Sequence, residues 1–303
     1  MRVLVLNQNN LQPNGQNNTL IYKFPNSVQF KNNSIAVSSV SMYYSWFNIT
    51  SAYLNNIFTY TWVVGSTTTI YTVTIPDGLY QVSDLNNLFQ FNMVANGHYL
   101  QTSSGSNAYY AEFILNPTRY AIQINTFQIP TSLPATYVQP ANWVGYPTQT
   151  FNPSITIPSN FSNIIGYTAG FVSNQNTNNS YSPPTSAKSN NYVTKSTIGT
   201  LSYLSDLAPN LQPNSSIYFS LSNINNPYSQ PSSIIYSMIP QGEVGSLIVE
   251  RPPQFMWNKM IDGTYNQLTL TFLGTNLQPI QINDPQMTIL LTIKEADESG
   301  EKR

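Results

Sequence analysis

"LTLTFLGTNLQPIQINDPQMTILLTI", residues 268–293, is the stretch whose reading decides the fold class. Leu268, Leu270 and Phe272 fall on one side of an extended chain, and Met287, Ile289, Leu291 and Ile293 repeat the pattern. Successive side chains of a strand point to opposite faces, so a period of two marks a strand with one face buried. Between the two runs lie Pro279 and Asp284-Pro285, residues that turn a chain and cannot extend a hydrogen-bonded ladder.

Working outward, the same alternation recurs. Tyr71, Val73 and Ile75 oppose Ile70, Thr72 and Thr74; Tyr120, Ile122 and Ile124 oppose Ala121, Gln123 and Asn125; Ile217, Phe219 and Leu221 oppose Tyr218, Ser220 and Ser222. In "SIAVSSVSMYYSWFNI" (34–49) the apolar phase changes, from Ile35 and Val37 to Val40, Met42, Tyr44 and Trp46. A bulge or bend near Ser38 and Ser39 reconciles the two phases. Roughly ten to twelve short strands separated by Pro, Gly and Asn clusters predict an all-β sandwich or barrel. No period of 20 to 50 residues repeats, so solenoids and propellers are not supported.

Helix is scarce. After the strand ending at Ile75, Pro76-Asp77-Gly78 reverses the chain, and Val82, Leu85, Leu88, Phe89 and Met93 form an apolar stripe at helical spacing. Ser83 is the expected cap, Asp84 sits by the positive dipole end, and Gly97 is the stop. A shorter helical turn is expected in "IPSNFSNIIGY", ended by Gly166. Residues 1–19 read as an Asn/Gln-rich arm, 20–294 as one domain, 95–110 and 170–200 as loop insertions, and 295–303 as a charged, solvated tail.

Composition narrows the function classes. Only 8% of the 303 residues are charged and the net charge is −1, while tyrosines number 21. An average globular chain carries roughly 25% charged residues. Weak self-repulsion together with abundant Tyr suits a surface packed against copies or partners. Lys and Arg nowhere cluster, which argues against nucleic acid as a partner. No apolar run is long enough for a membrane span or a signal peptide, and the lack of cysteine removes disulfides and thiolate metal sites.

The residues offer no catalytic, cofactor-binding or metal-binding site. His98 is the single histidine, with no G-x-S-x-G elbow beside it, and the sequence has no His/Cys grouping, P-loop or G-x-G-x-x-G. Asp77, Asp84, Asp262 and Asp284 all stand where turns or a helix cap employ them. Tyr43, Tyr44, Trp46, Trp62, Trp143 and Trp257 read as core or interface anchors; the alternative is a carbohydrate platform for host attachment, with loop aromatics such as Tyr109 or Tyr181.

Five segments in order, "SIAVSSVSMYYSWFNIT", "YTVTIPDGLYQVSDLNNLF", "IPSNFSNIIGY", "PNSSIYFSLSNINNPYSQPSSIIYSM" and "LGTNLQPIQINDPQMTILLTI", make the chain resemble the minor capsid, or penton, proteins of virophages and Polinton-like elements, those of the mavirus type above all. The resemblance covers about residues 20–294. It implies a single jelly-roll of two antiparallel sheets, five copies of which plug an icosahedral vertex among double jelly-roll major capsid proteins. It further implies a virion component assembled in a viral factory inside the host cell, with no enzymatic activity and no cofactor. The matching positions are Trp46, Pro76, Gly78, Tyr80, Leu85, Pro158, Phe161, Gly166, Pro279, Pro285 and Thr288, all scaffold residues. The length agrees, since two complete jelly-rolls with these loops would crowd 303 residues.

Overall fold

The computed structural model describes residues 1–14, 19–173, 177–178, 181, 184, 195–197, 200–211, 215–242, 245–284 and 286–295. The chain opens with strands β1 (Arg2–Asn7), β2 (Leu11–Asn14), β3 (Thr19–Phe30) and β4 (Asn33–Tyr43). Next come β5 (Ile57–Val64), β6 (Thr67–Thr74), helix α1 (Val82–Ala95), β7 (Tyr99–Thr102), β8 (Asn107–Tyr109), β9 (Ala111–Asn116), β10 (Ala121–Phe127), β11 (Tyr137–Val138), β12 (Thr150–Phe151), β13 (Ile155–Ile157) and helix α2 (Ser159–Ile165). β14 (Phe171–Val172), β15 (Thr177–Asn178), β16 (Lys195–Thr197) and β17 (Thr200–Leu204) follow. The chain then runs through β18 (Ile217–Leu221), β19 (Ile234–Met238), β20 (Leu247–Glu250), β21 (Asn258–Lys259), β22 (Gly263–Leu273) and β23 (Thr288–Glu295). Among the described residues the fold is all-β with two α-helices, and every pairing between named strands is antiparallel.

Contacts divide the chain into two compact units, one made of 1–46 with 212–303 and one of 47–211. The first is the sandwich. Its two sheets run β1-β23-β4-β20, with β21 also on β4, and β19-β18-β22-β3-β2. The pairs are nested along the chain: β18 with β19 innermost, then β4 with β20, β3 with β22, and β1 with β23 outermost. A long hairpin rolled up on itself produces this nesting, and it defines the jelly-roll. The inner faces of the two sheets close one core, in which Leu6, Ile35, Val40, Met42, Phe219, Phe272 and Ile289 are almost wholly buried.

Residues 1–19, expected as an arm, carry the outermost strand of the roll and the edge strand β2. In "VLVL" both alternate positions are apolar; Leu4 and Leu6 turn into the core, and Arg2 to Asn7 pair along β23. The expected bulge is present: Leu291 faces Val37 and Leu290 faces Ser39, so Ser38 is the extra residue, and its hydroxyl donates to Leu290 O at 3.0 Å. Val37 and Val40 thereby both face inward.

The second unit has its own core, built from β5, β6, β9, β10, β13 and the two helices. α1 begins two residues earlier than expected, with Gln81 rather than Ser83 at the cap, and Asp84 accepts from Gln81 N at 2.9 Å. Its stop is Gly97 at φ +71°, where an added Cβ would lie 1.9 Å from Asn142 O. α2 stops likewise at Gly166, φ +77°. The stretch 95–110, expected as a loop, holds the hairpin β7–β8. Tyr99, Leu100, Ala108 and Tyr110 of this stretch are buried, and "TSSGS" supplies its turn. Of the 170–200 insertion, most residues lie outside the described set, as do Pro285 and the tail beyond Glu295.

Candidate interaction surface

Several acidic side chains accept from backbone N–H groups. Asp77 accepts from Ser51 N at 2.6 Å, Asp262 from Asn32 N at 2.8 Å, and Asp206 from Thr168 N at 3.1 Å. Asp284 accepts from Tyr43 N and Gln286 N, and Glu112 takes the Asn125 amide at 2.7 Å. Among the described residues no three His, Cys, Asp or Glu gather as a metal site would require.

His98 is wholly buried in the second unit, stacked on Trp62 at 4.3 Å between ring centres and met edge-on by Tyr60 and Tyr71. Asn96 Nδ2 donates to the Tyr60 hydroxyl at 3.1 Å, and that hydroxyl shares a hydrogen bond of 2.8 Å with His98 Nδ1. His98 Nε2 has no hydrogen-bond partner among the described residues. Burial pushes the His98 pKa down to about 3. The ring is walled by the aromatic side chains of Tyr60, Trp62 and Tyr71.

Most of the aromatic residues singled out from sequence are also structural. Tyr44 stacks on Trp46 at 4.1 Å inside the jelly-roll, and Trp62 and Trp143 are buried in the second core. Tyr109 and Tyr181 are partly buried against that core. Tyr43 and Trp257 remain half-exposed, and both belong to the sheet β1-β23-β4-β20 and the loop beside it.

That sheet's outer face is where unused apolar surface collects. With Leu4 and Leu6 inward, Val3 and Val5 point out, 63% and 42% exposed. At the opposite edge Ile248 turns inward, leaving Leu247 and Val249 53% and 54% exposed. Register ties the two edges: Val5, Leu290 and Ser39 form one row, and Asn7, Thr288, Ser41 and Val249 the next. Three strand spacings, about 14 Å, separate the edges. The loop after β20 adds exposed Phe255 and Met256, with Phe255 5.4 Å from Trp257.

Charge is confined to one end of this face. Lys294 and Lys259 flank Ser34 on neighbouring strands, and the Lys294 ammonium lies 4.3 Å over the Trp257 ring. Arg2 and Glu295 pair at 3.4 Å, both well exposed, an arrangement worth little in water. Scattered apolar residues on a surface need no explanation; aliphatic rims on both edges of one sheet face do. This face escaped sequence reading because strand alternation shows which positions point away from the core but not which strands become neighbours.

No protein-family model matches the chain, and no curated protein matches it. Two solved structures are similar over nearly the full length. The selenomethionine-labelled crystal structure of the mavirus penton protein is 10% identical over 97% of this chain and 98% of that one, with a TM-score of 0.40. A chain of the Sputnik virophage, determined by cryo-electron microscopy, is 11% identical over 97% of this chain and 98% of that one, with a TM-score of 0.33.

Proposed function

We propose that this chain is a structural capsid protein that forms the fivefold vertex of an icosahedral virion. The observation that carries the reading is the outer face of β1-β23-β4-β20, with exposed Val3 and Val5 at one edge and exposed Leu247 and Val249 at the other. Removing aliphatic surface of this kind from water stabilises association by about 25 cal/mol for each Å² buried. A ring of five needs heterologous contacts, in which this face on one copy meets a different surface on the next. The remaining apolar positions of the vertex dock to the double jelly-roll major capsid protein. In this reading residues 47–211 form an insertion between two strands of the roll, the protein calls on no catalytic residue or cofactor, and it assembles in the host cell before residing in the virion.

Native mass spectrometry of the purified protein, alone and with the major capsid protein, tests the proposal. A pentamer, free or bound to the partner, is the expected species. A monomer that persists at high concentration with the partner present would overturn the reading.

A further inference from the structure

A cavity of about 480 Å³ opens at one end of the jelly-roll, between the turn after β1 and the segment leading into β23. Leu11, Leu20, Ile282 and Met287 give it aliphatic walls, and the exposed residues Gln8 and Pro13 line its mouth. Asn283 and Asp284 add polar groups.

Asp284 is more than nine-tenths buried. Its two oxygens accept from Tyr43 N at 2.6 Å and Gln286 N at 2.7 Å, so the peptide backbone fixes the orientation of the carboxyl group. Each oxygen retains a further lone pair. Among the described residues no cation pairs with it. Asn283 is fixed too, donating to Ser45 O at 3.2 Å and accepting from Gln281 Nε2 at 3.1 Å. A buried carboxyl group with spare lone pairs beside apolar walls complements a hydrogen-bond donor at the end of a hydrocarbon stem, as an alkylammonium presents.

We propose that this cavity binds an aliphatic primary ammonium, its methylenes against Leu11, Leu20 and Met287 and its nitrogen at Asp284. The proposal is independent of the capsid reading. The group has two sources, a free diamine or the lysine side chain of another chain.

Isothermal titration of the full-length protein with 1,5-diaminopentane at low salt reads the site. Saturable binding is expected, weakened at least tenfold by Asp284→Asn and absent for 1-pentanol, which has the stem without the charge. Gln8→Lys places a tethered ammonium at the mouth and is expected to abolish diamine binding while raising Tm. That variant decides the matter should Asp284→Asn fail to fold. Nα-acetyl-lysine amide binding as tightly as the diamine assigns the source to a protein side chain, and diamine binding alone assigns it to a free amine. No binding of either probe, or equal binding to wild type and Gln8→Lys, overturns the proposal.

Discussion

Burying the single histidine has a cost that depends on pH. An unfolded histidine titrates near pH 6.5, whereas burial holds His98 neutral down to about pH 3. The folded state therefore binds fewer protons than the unfolded one between these values. Its stability is fully present above about pH 6.5 and is lost as pH falls toward 3. Between pH 7 and 4.5 the loss comes to about 2–3 kcal/mol. Urea denaturation of wild type and His98→Phe at both pH values is expected to show that loss in the wild type and most of it removed in the variant. Equal losses would mean that His98 is not the responsible group. Glycine positions give a second contrast at this scale. Gly97→Ala and Gly166→Ala drive a Cβ to within 1.9 and 2.2 Å of the carbonyl oxygens of Asn142 and Leu207, while Gly105, at φ +87°, has nothing within 4 Å. The first two substitutions should each cost more than about 2 kcal/mol, and Gly105→Ala about 1 kcal/mol, the price of left-handed backbone alone. Chemical denaturation midpoints check the order.

At the scale of elements, the bulge in β4 and the strand β1 make opposite predictions. Removing Ser38 leaves Val37 opposite Leu291 and Ser39 opposite Leu290, so every inward residue keeps its face and only local twist and one hydrogen bond are lost. Removing Ser41 instead flips one flank of the strand and turns out either Val40 or Met42, both fully buried. Deletion of Ser38 should yield soluble, cooperatively melting protein by circular dichroism, and deletion of Ser41 should not. For β1, Leu6→Ala removes a buried side chain and should cost about 2–5 kcal/mol, whereas exposed Val3→Ala should be close to neutral. An arm detached from the fold would make both neutral. The bulge was legible in the sequence because two local apolar phases conflict across Ser38 and Ser39. The strand was hidden because its apolar run is only "VLVL" and is followed by Asn and Gln, a composition that also describes a solvated arm. What makes it a strand is β23, almost three hundred residues away in sequence.

At the scale of the whole molecule, the nested pairing of the jelly-roll follows the same logic. Periodicity identified strands at 217–221, 268–272 and 287–293 because burial is written into alternate positions, but partner choice depends on contacts between distant segments. The resemblance supplied the jelly-roll, and the pairings establish its order. The division at residues 46 and 212 was not legible, since alternation and turns continue across both points without a change in composition. For the same reason the exposed aliphatic face of β1-β23-β4-β20 stayed hidden until strand neighbours were known. Its role is testable by Val5→Asp with Val249→Asp, which place charge on exposed positions of the face. The double variant should melt within a few degrees of wild type yet fail to join the assembly, as followed by sedimentation. The most direct measurement is cryo-electron microscopy of assembled particles containing this chain. The account predicts five copies around each fivefold axis, with Val3, Val5, Leu247 and Val249 covered by neighbouring chains. Density for the chain away from those axes, or that face open to solvent in the intact particle, would contradict it.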